Sequence, residues 1–364
     1  MVPLPAEPLG SSQLIGNHCV ICNNCLPALR SLADQSVDVI VTSPPYNLQI
    51  PYRSYQDDLS EADYIQWFIR VAEQLLRILR PDGSFFLNVA GSGSQPWLPF
   101  ELAIRLRQAG FILQNHIVWV KSITTEMVSR GHFKPVGGRR FLHHNHEHLF
   151  HLTNDGRVKL DRLAIGIPYQ DKSNIRRRGH SRDIRCRGNT WFIPYKTVQS
   201  RAEKFDHPTP FPVELPMWCI WLHGKSNPTV LDPFVGTGTT LLAAHDSGGR
   251  GIGIDIDATY VRAALNRLKR HIGTSMRITL SHDEMAELLR QDPSTREKGG
   301  FQGLLIRLQD RLNKISGQVS LTEEDMRRIH RYAFGFKSGG GWQRRLVTIF
   351  SRHLGPRLDR SPKA

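Results

Sequence analysis

The stretch NPTVLDPFVGTGTTLLAAHDSGG, residues 227–249, predicts a strand, a glycine loop and a helix in that order. RGIGIDID, residues 250–257, then predicts a second strand that leads into another helix. Glycines let the backbone pass close beneath a ligand at the carboxyl end of the first strand. Asp255 ends the second strand, where a carboxylate can accept hydrogen bonds from two ribose hydroxyls. Loop and acid together indicate an α/β domain that binds a nucleoside.

The composition of the loop narrows the kind of ligand. It has neither the lysine of a P-loop nor the third glycine of the dinucleotide fingerprint, so a pyrophosphate is disfavoured. Asp232 would repel a pyrophosphate but would suit a ligand with a positive amino group and a positive sulfonium. These features favour S-adenosyl-L-methionine, and a glycine turn without a ligand is the alternative.

Strands and helices also alternate earlier in the chain. Residues 14–45 predict strand, helix and strand, and EADYIQWFIRVAEQLLRILR, residues 61–80, predicts an amphipathic helix before the apolar strand SFFLNVA. Strands that are apolar on both faces, each following a helix, are typical of a parallel sheet covered on both sides. The predicted fold is α/β, a doubly wound and mostly parallel sheet.

Charge and composition restrict the partner and the location. The 364 residues carry a formal net charge of +15, which favours a polyanion such as nucleic acid, with a basic tail as the alternative. Neither a membrane span nor a secretory signal is evident, so we expect a cytoplasmic, nucleoid-associated protein without membrane partners. Cys19, Cys22 and Cys25 have the spacing of a metal site, but no fourth ligand follows and we predict no metal.

The segment TSPPY, residues 42–46, follows the apolar strand VDVIV. Its prolines lack N–H groups but keep their carbonyls, so the turn presents acceptors with few competing donors. The exocyclic amino group of a base is a donor that fits such acceptors. The ring of Tyr46 offers a face on which a flipped base could stack, for about 1 to 3 kcal/mol. A rigid turn at the end of a strand is the alternative.

Together these motifs resemble the S-adenosylmethionine-dependent DNA amino-methyltransferases, in the group whose catalytic motif precedes the cofactor motif. TSPPY is similar to the catalytic motif in the form associated with N4-cytosine methylation, whereas the N6-adenine enzymes more often carry Asp in place of Ser43. DPFVGTGTT resembles the cofactor loop, GIGIDID the ribose-binding strand, and HPTPFP, residues 207–212, the element that closes over the methionine. The resemblance covers residues 14–270 and implies a Rossmann-like class I methyltransferase with permuted motif order.

The resemblance also implies the site residues. The catalytic residues would be Ser43, Pro44, Pro45 and Tyr46. The cofactor-binding residues would be Asn24, Pro208, Asp232, Phe234, Gly236, Gly238, Thr239 and Asp255. Asn24 stands where the family usually places an acid that contacts the adenine amino group, and its side-chain oxygen can accept the same hydrogen bond.

The implied reaction is methyl transfer to the N4 amino group of a flipped cytosine in duplex DNA. Hydrogen bonds from that amino group to Ser43 and to the Pro44 carbonyl would localise its lone pair for attack. N6-adenine methylation is the nearest alternative. An inactive DNA-binding protein, conceivable because of Asn24, and a protein or RNA methyltransferase are the others. C5-cytosine methylation is excluded, because no proline in the chain precedes a cysteine.

Residues 121–206 are dense in Gly, Arg and His and predict an inserted target-recognition region. Arginine side chains can bind phosphates and guanine edges, and a solvated basic loop is the alternative. The predicted DNA contacts are Arg139, Arg140, Arg176, Arg177, Arg178, Arg182, Arg185 and Arg187. His144, His148 and His151 could bind zinc if HHNHEHLFHL, residues 143–152, were a helix. We predict a strand, in which alternate residues face opposite ways.

The predicted organisation has four parts. Residues 1–13 form a tail, residues 14–120 and 207–273 the catalytic domain, residues 121–206 the recognition region, and residues 274–364 a small helical accessory region. A capping signal at Thr322 to Asp325 predicts a helix in the last part. The sequence leaves open the target sequence, the oligomeric state and whether a cognate restriction endonuclease exists.

Overall fold

The computed structural model describes residues 11–47, 54–55, 57–93, 95–132, 136–137, 139–177, 183–195, 211–298, 300–334 and 341–358. Within these ranges the strands are β1 (Ser12–Ile15), β2 (His18–Cys22), β3 (Val37–Thr42), β4 (Leu79–Val89), β5 (Ile112–Val120), β6 (Ser122–Thr125), β7 (Val128–Gly131), β8 (His146–Thr153), β9 (Thr190–Phe192), β10 (Thr229–Asp232), β11 (Arg250–Asp255), β12 (Met276–Thr279) and β13 (Gln318–Leu321). The α-helices are α1 (Cys25–Arg30), α2 (Glu61–Ile78), α3 (Leu98–Gln108), α4 (Ser173–Arg177), α5 (Glu214–His223), α6 (Thr239–Asp246), α7 (Ala258–Thr274), α8 (His282–Leu289), α9 (Gly300–Asp310), α10 (Glu323–Phe334) and α11 (Gly341–Leu358).

Nine of the described strands form one sheet in the order β1-β2-β11-β10-β3-β4-β8-β5-β9. The consecutive pairs from β2 to β4 are all parallel, as is the pair β5 and β9. The predicted doubly wound, mostly parallel α/β fold is therefore confirmed. Strands β10 and β3 are neighbours in the sheet. The strand that follows β10 in the chain, β11, lies on one side of this pair, and the strand that follows β3, β4, lies on the other side. The carboxyl ends of β3 and β10 therefore flank the point where the strand order reverses, which is where open α/β sheets bind ligands.

The long helix α2 shows why the predicted elements form. Ser60 caps its first turn by accepting a hydrogen bond from the backbone of Asp63. Its buried residues recur at helical spacing and include Tyr64, Phe68 and Leu75, all packed in the core under the sheet. Truncating Phe68 to alanine would cost about 3–5 kcal/mol of folding free energy, because it would leave a cavity there.

Part of the predicted recognition region belongs to the main sheet. Strand β8 lies between β4 and β5 and is antiparallel to both. The predicted strand around residues 143–152 is thus confirmed for His146–Thr153, and His148 and His151, three residues apart, face opposite sides. Strand β9 pairs with β5, so only the rest of residues 121–206 is available as an insertion.

The directions of β4, β5 and β8 show at which edge of the sheet the inserted segment lies. Val120, at the end of β5, pairs with His146 at the start of β8, and Val89, at the end of β4, pairs with His148. Residues 121–145 therefore leave and re-enter the sheet at its carboxyl edge, the edge where β3 also ends. The hairpin formed by β6 and β7 is the first part of this segment.

The chain divides into two compact units, Met1–Arg162 with Ile167–Lys269, and Leu163–Gly166 with Arg270–Ala364. The second unit has its own apolar core, which contains Leu304 and Phe350. At the start of α10 the Thr322 side chain accepts from the Asp325 backbone amide, and the Asp325 carboxylate accepts from that of Thr322, so the predicted capping signal is confirmed. The finer four-part division stays a prediction. No helix within the described ranges is both long enough and apolar enough to cross a bilayer.

Candidate functional site

The predicted catalytic and cofactor segments meet at the carboxyl edge of the sheet. Strand β10 pairs with β3 on one side and with β11 on the other, all in parallel. Parallel strands end at the same edge, so Thr42, Asp232 and Asp255 come together there although they lie far apart in the chain. Thr42 donates a hydrogen bond from Oγ1 to Asp232 Oδ1 at 2.7 Å, which ties the TSPPY segment to the glycine loop.

Asp255 is held in place by backbone amides. Its carboxylate accepts from Gly236 N at 2.9 Å through Oδ2 and from Asp257 N at 2.9 Å through Oδ1. Burial raises the pKa of this carboxyl to about 6, although both hydrogen bonds oppose the shift. Each carboxylate oxygen keeps a further lone pair, so the group can still accept from a ligand hydroxyl.

The glycine loop depends on two positive φ angles and on close packing. Gly236 has φ 50° and Gly238 has φ 85°, a region that side-chain-bearing residues rarely adopt. The loop also rests against β11, because a Cβ on Gly253 would lie 2.7 Å from Val235 Cγ2. Phe234, partly buried, has its ring centroid 5.6 Å from that of Trp67 on α2.

A half-buried arginine that the sequence patterns did not reveal supports this loop from α7. Arg267 donates to the Thr237 carbonyl at 2.7 Å and to its hydroxyl at 2.9 Å, and reaches the Thr239 hydroxyl at 3.3 Å. Burial lowers the pKa of the guanidinium to about 10. The side chain of the predicted cofactor residue Thr239 is thus a partner of Arg267. Arginines on exposed helix faces are common, so its position in the sequence carried no signal.

The carboxylate of Asp232 is taken up by hydrogen bonds within the protein. The residue is 1% exposed, and its oxygens accept from Thr42, from the Thr240 hydroxyl at 2.6 Å and from Phe234 N at 3.1 Å. Burial raises the pKa of its carboxyl to about 6. A ligand would therefore sense Asp232 mainly through its charge and through the loop that it shapes.

Asn24 has a local role as well. Its side-chain oxygen accepts from Leu26 N at 3.0 Å and so caps α1, while Asn23 N donates to the Asp255 carbonyl at 3.0 Å. The segment therefore lies beside Asp255, as expected for a cofactor contact. The exposed amide oxygen retains a second lone pair for a ligand donor.

The predicted catalytic residues form a hydrogen-bonded turn. Ser43 Oγ and the Tyr46 hydroxyl are 2.5 Å apart, and Tyr64 donates to the Pro45 carbonyl at 2.6 Å. The Pro44 carbonyl has no hydrogen-bond partner within the part of the chain that the structure describes. It is the free acceptor that the sequence of the turn predicted. Tyr46 is half-buried and uses its hydroxyl in the turn, so its ring face is more restricted than a bare stacking platform.

Three further side chains complete this turn and were missed by sequence reasoning. Asn88 Nδ2 donates to Tyr46 Oη at 2.8 Å and to Glu147 Oε2 at 2.6 Å, and Lys121 Nζ donates to Glu147 Oε1 at 2.8 Å. Tyr46 Oη also lies 3.2 Å from Glu147 Oε2. Burial, and then the Glu147 carboxylate, raise the pKa of the Tyr46 phenol well above its ordinary value. An amide, Asn88, inside the otherwise apolar stretch SFFLNVA was the only sequence signal.

The predicted DNA-contacting arginines are only partly described. Arg139 and Arg140 are exposed in the segment that leaves the carboxyl edge, and Arg140 lies over the Phe141 ring. Arg185 is exposed, whereas Arg187 packs over the Trp218 ring at 4.0 Å. Arg176 and Arg177 lie in α4, and the structure does not describe their side chains. Arg178, Arg182 and the predicted cofactor residue Pro208 fall outside the described residues altogether.

The site fits S-adenosyl-L-methionine in charge. A Cβ on Gly238 would lie 3.0 Å from Ala264 Cβ on α7, so this glycine lets the loop lie close to that helix, and α6 begins at Gly238 without a side-chain cap. The carboxylates of Asp232 and Asp255 give the site a negative potential that suits a sulfonium. Asp255 would hold the ribose, and the loop would face the methionine part.

Comparisons with known proteins agree with this geometry. A sequence model described as DNA methylase matches residues 37–266, more than half of the chain. The type II methyltransferase M.HpaI of Haemophilus parainfluenzae is 26% identical over 252 residues, covering 68% of this chain and 73% of that protein. The type II methyltransferase M.ScaI of Streptomyces caespitosus is 27% identical over 258 residues, covering 67% and 79%.

A solved structure is also similar. The PvuII DNA methyltransferase, described as cytosine-N4-specific, superimposes with a TM-score of 0.55 at 22% identity, covering 71% of this chain and 89% of that one. At this level of identity the similarity supports the class I methyltransferase fold alone.

Proposed function

This chain belongs to the DNA methylase family, and we propose that within this family it transfers a methyl group from S-adenosyl-L-methionine to the N4 amino group of a cytosine in duplex DNA. The observation that carries the proposal is the junction of two segments. The SPPY turn, with the free Pro44 carbonyl, and the glycine loop with Asp255 end at the same edge and are joined by the Thr42–Asp232 hydrogen bond.

The choice of cytosine rests on Ser43. Its hydroxyl is a small neutral acceptor and the Pro44 carbonyl is a second one, so the two can accept both protons of an exocyclic amino group. This withdraws the nitrogen lone pair from conjugation with the ring and directs it outward. When bound, the cofactor supplies an electrophilic methyl group on a positive sulfur. The protein supplies position and electrostatics, without a covalent enzyme intermediate.

Duplex DNA as substrate is supported by the surface at the same edge. Residues 121–145 leave from there and carry the exposed Arg139 and Arg140. Two large apolar side chains of this segment, Met127 and Leu142, are 98% and 90% exposed. Exposed apolar groups among arginines suit a surface that spreads a base pair and holds phosphates. The net charge of +15 adds long-range attraction to DNA. A location with access to the nucleoid would follow.

The identity of the methylated base in the DNA product tests the proposal. Purified protein is incubated with duplex DNA and cofactor carrying a labelled methyl group, and the DNA is digested to nucleosides for mass analysis. We expect N4-methylcytidine in its deoxy form. N6-methyladenine as the sole product would establish the nearest alternative. Cofactor-independent DNA binding without any methylated base would establish an inactive DNA-binding protein.

The relatives suggest a biological setting. Both sequence relatives are type II methyltransferases, so we propose a restriction-modification role, with any cognate nuclease acting on the same sequence as a separate protein. Sequencing of DNA from expressing cells, with detection of modified bases, would identify the target. Modification scattered without a common sequence would contradict this role.

A further inference from the structure

We propose that Glu147 is a positioning residue that makes Ser43 the donor in its hydrogen bond with Tyr46, so that the Ser43 oxygen faces the target base as an acceptor. The inference rests on the proposed function, because it concerns how the same turn would receive an amino group. It is carried by the contacts among five side chains at the carboxyl edge of the sheet.

The carboxylate is fixed on both sides. Glu147 is 13% exposed and pairs with Lys121, which is 16% exposed, at 2.8 Å through Oε1. Its other oxygen, Oε2, lies 2.6 Å from Asn88 Nδ2. An amide oxygen at that place would face the carboxylate directly, so the short contact also fixes the orientation of the Asn88 amide.

The direction of the remaining hydrogen bonds follows from counting protons. Tyr46 has one hydroxyl proton, and its oxygen already accepts from Asn88 Nδ2 at 2.8 Å. Three acceptors are within reach of this proton: Ser43 Oγ at 2.5 Å, and the Asn88 main-chain carbonyl and Glu147 Oε2 at 3.2 Å each. Ser43 carries a proton of its own and can serve as the donor instead, and of the other two only Glu147 is charged. Charge-assisted hydrogen bonds are stronger than neutral ones, so the Tyr46 proton turns toward the carboxylate. It is then not available to Ser43.

Ser43 must accordingly donate to Tyr46. The two oxygens are 2.5 Å apart, and a hydrogen bond at that distance requires a donor on one side. With its proton directed to Tyr46, Ser43 keeps lone pairs for an incoming N–H, apart from a long 3.4 Å contact with Asn88 Nδ2. The chain of hydrogen bonds thus runs from the amino group through Ser43 and Tyr46 to Glu147.

Glu147→Gln is the informative substitution. Lys121 can only donate, so the new amide turns its oxygen to Lys121 and its NH₂ group toward Tyr46. There the NH₂ group also meets Asn88 Nδ2, a second donor, so the hydrogen bond at that position is lost. The Tyr46 proton loses its charged acceptor and turns to Ser43 Oγ, which at 2.5 Å is the nearest remaining acceptor, and the Ser43 proton then opposes an incoming amino N–H. We expect the maximal rate of methyl transfer to fall by about 100-fold, the size usual for lost positioning of a proton-bearing group, with little change in KM for DNA. Glu147→Asp should recover part of the rate.

The controls separate positioning from folding. Glu101→Gln removes a half-buried carboxylate that pairs with Arg105 on α3, and it should keep the wild-type rate. In a Tyr46→Phe background the hydrogen bonds between Ser43 and Glu147 are already broken. There Glu147→Gln should lower the maximal rate of methyl transfer by less than about threefold, so the effects of the two substitutions are strongly non-additive. Additive losses in the double variant would overturn the proposal, as would a Glu147→Gln enzyme within twofold of wild type.

A second measurement needs no methyl transfer. Tyrosine carrying carbon-13 at Cζ is incorporated into the ligand-free full chain, and the Tyr46 signal is identified by its loss in Tyr46→Phe. The Cζ shift reports whether the phenol donates its proton. We expect it to move in Glu147→Gln and to stay in Glu101→Gln, and an unmoved signal in Glu147→Gln would refute the role of Glu147. If instead the wild-type protein methylates no DNA base, the proposed function itself fails.

Discussion

Thr42 and Asp232 stand 190 positions apart in the chain and share a buried hydrogen bond of 2.7 Å between Oγ1 and Oδ1. Thr42 ends the strand before the SPPY turn and Asp232 ends the strand before the glycine loop. Both residues are nearly inaccessible to solvent. The contact therefore sets the spacing between the segment proposed to hold the base and the loop proposed to hold the methyl donor.

Removing the donor of this pair should destabilise the fold. In Thr42→Val the shape is kept, but a buried carboxylate loses one of its hydrogen bonds, which costs about 1–3 kcal/mol of unfolding free energy. Denaturant unfolding followed by circular dichroism measures the loss. Thr125→Val, on the exposed face of β6, is the matched control and should change stability by less than about 0.5 kcal/mol. Equal stability of both variants would show that the pair contributes nothing.

Cofactor affinity should depend on pH through Asp255. Its carboxyl has a pKa of about 6 in the ligand-free protein, and ribose hydroxyls donate best to the ionised form. Affinity should thus rise as pH increases through 6, and S-adenosyl-L-methionine should bind up to about tenfold more weakly at pH 5 than at pH 7. Calorimetric titration across this range measures the effect. Asp255→Asn should bind weakly with a flatter pH profile, and an unchanged profile in this variant would assign the dependence to another group.

Gly253→Ala should displace the cofactor loop. The added methyl would lie 2.7 Å from Val235 Cγ2 and 3.1 Å from Leu241 Cδ1, so the loop or α6 must shift away from β11. We expect a loss of about 1–3 kcal/mol in stability together with weaker cofactor binding. Gly273→Ala, where nothing lies within 4 Å of the added atom, is the control and should be neutral or stabilising. Wild-type cofactor affinity in Gly253→Ala would contradict the tight packing of loop and strand.

Arg139 and Arg140 should contribute to DNA binding. Replacing both with glutamine removes two exposed charges from the segment at the carboxyl edge. If both contact phosphates, the slope of log affinity against log salt should become shallower by about 1.8, from about 0.9 per contact. Fluorescence anisotropy with labelled duplex at several salt concentrations tests this. Arg30→Gln, exposed in the last turn of α1 and therefore toward the opposite edge, should leave the slope nearly unchanged.

Local patterns were enough to predict the elements of the catalytic fold. Helix α2 followed from its apolar spacing, and the parallel centre of the sheet followed from strands that are apolar on both faces, each following a helix. The glycine turn and the place of Asp255 at the end of the next strand also followed, because both depend on patterns within a few residues. The place of β8 between β4 and β5, inside a region predicted as an insertion, did not follow, because strand order depends on pairing between distant segments.

The sequence by itself therefore determined the class of fold, the turn at Ser43 and the loop at Gly236, since each depends on local spacing and backbone freedom. The tertiary structure alone decided the partners of these residues. It directed Asp232 inward to Thr42, used the Asn24 oxygen as a helix cap, and brought Lys121, Asn88 and Glu147 around Tyr46. The physical reason is that a buried polar group must find hydrogen bonds wherever the sheet places it, and that placement is a property of strand order rather than of neighbouring residues.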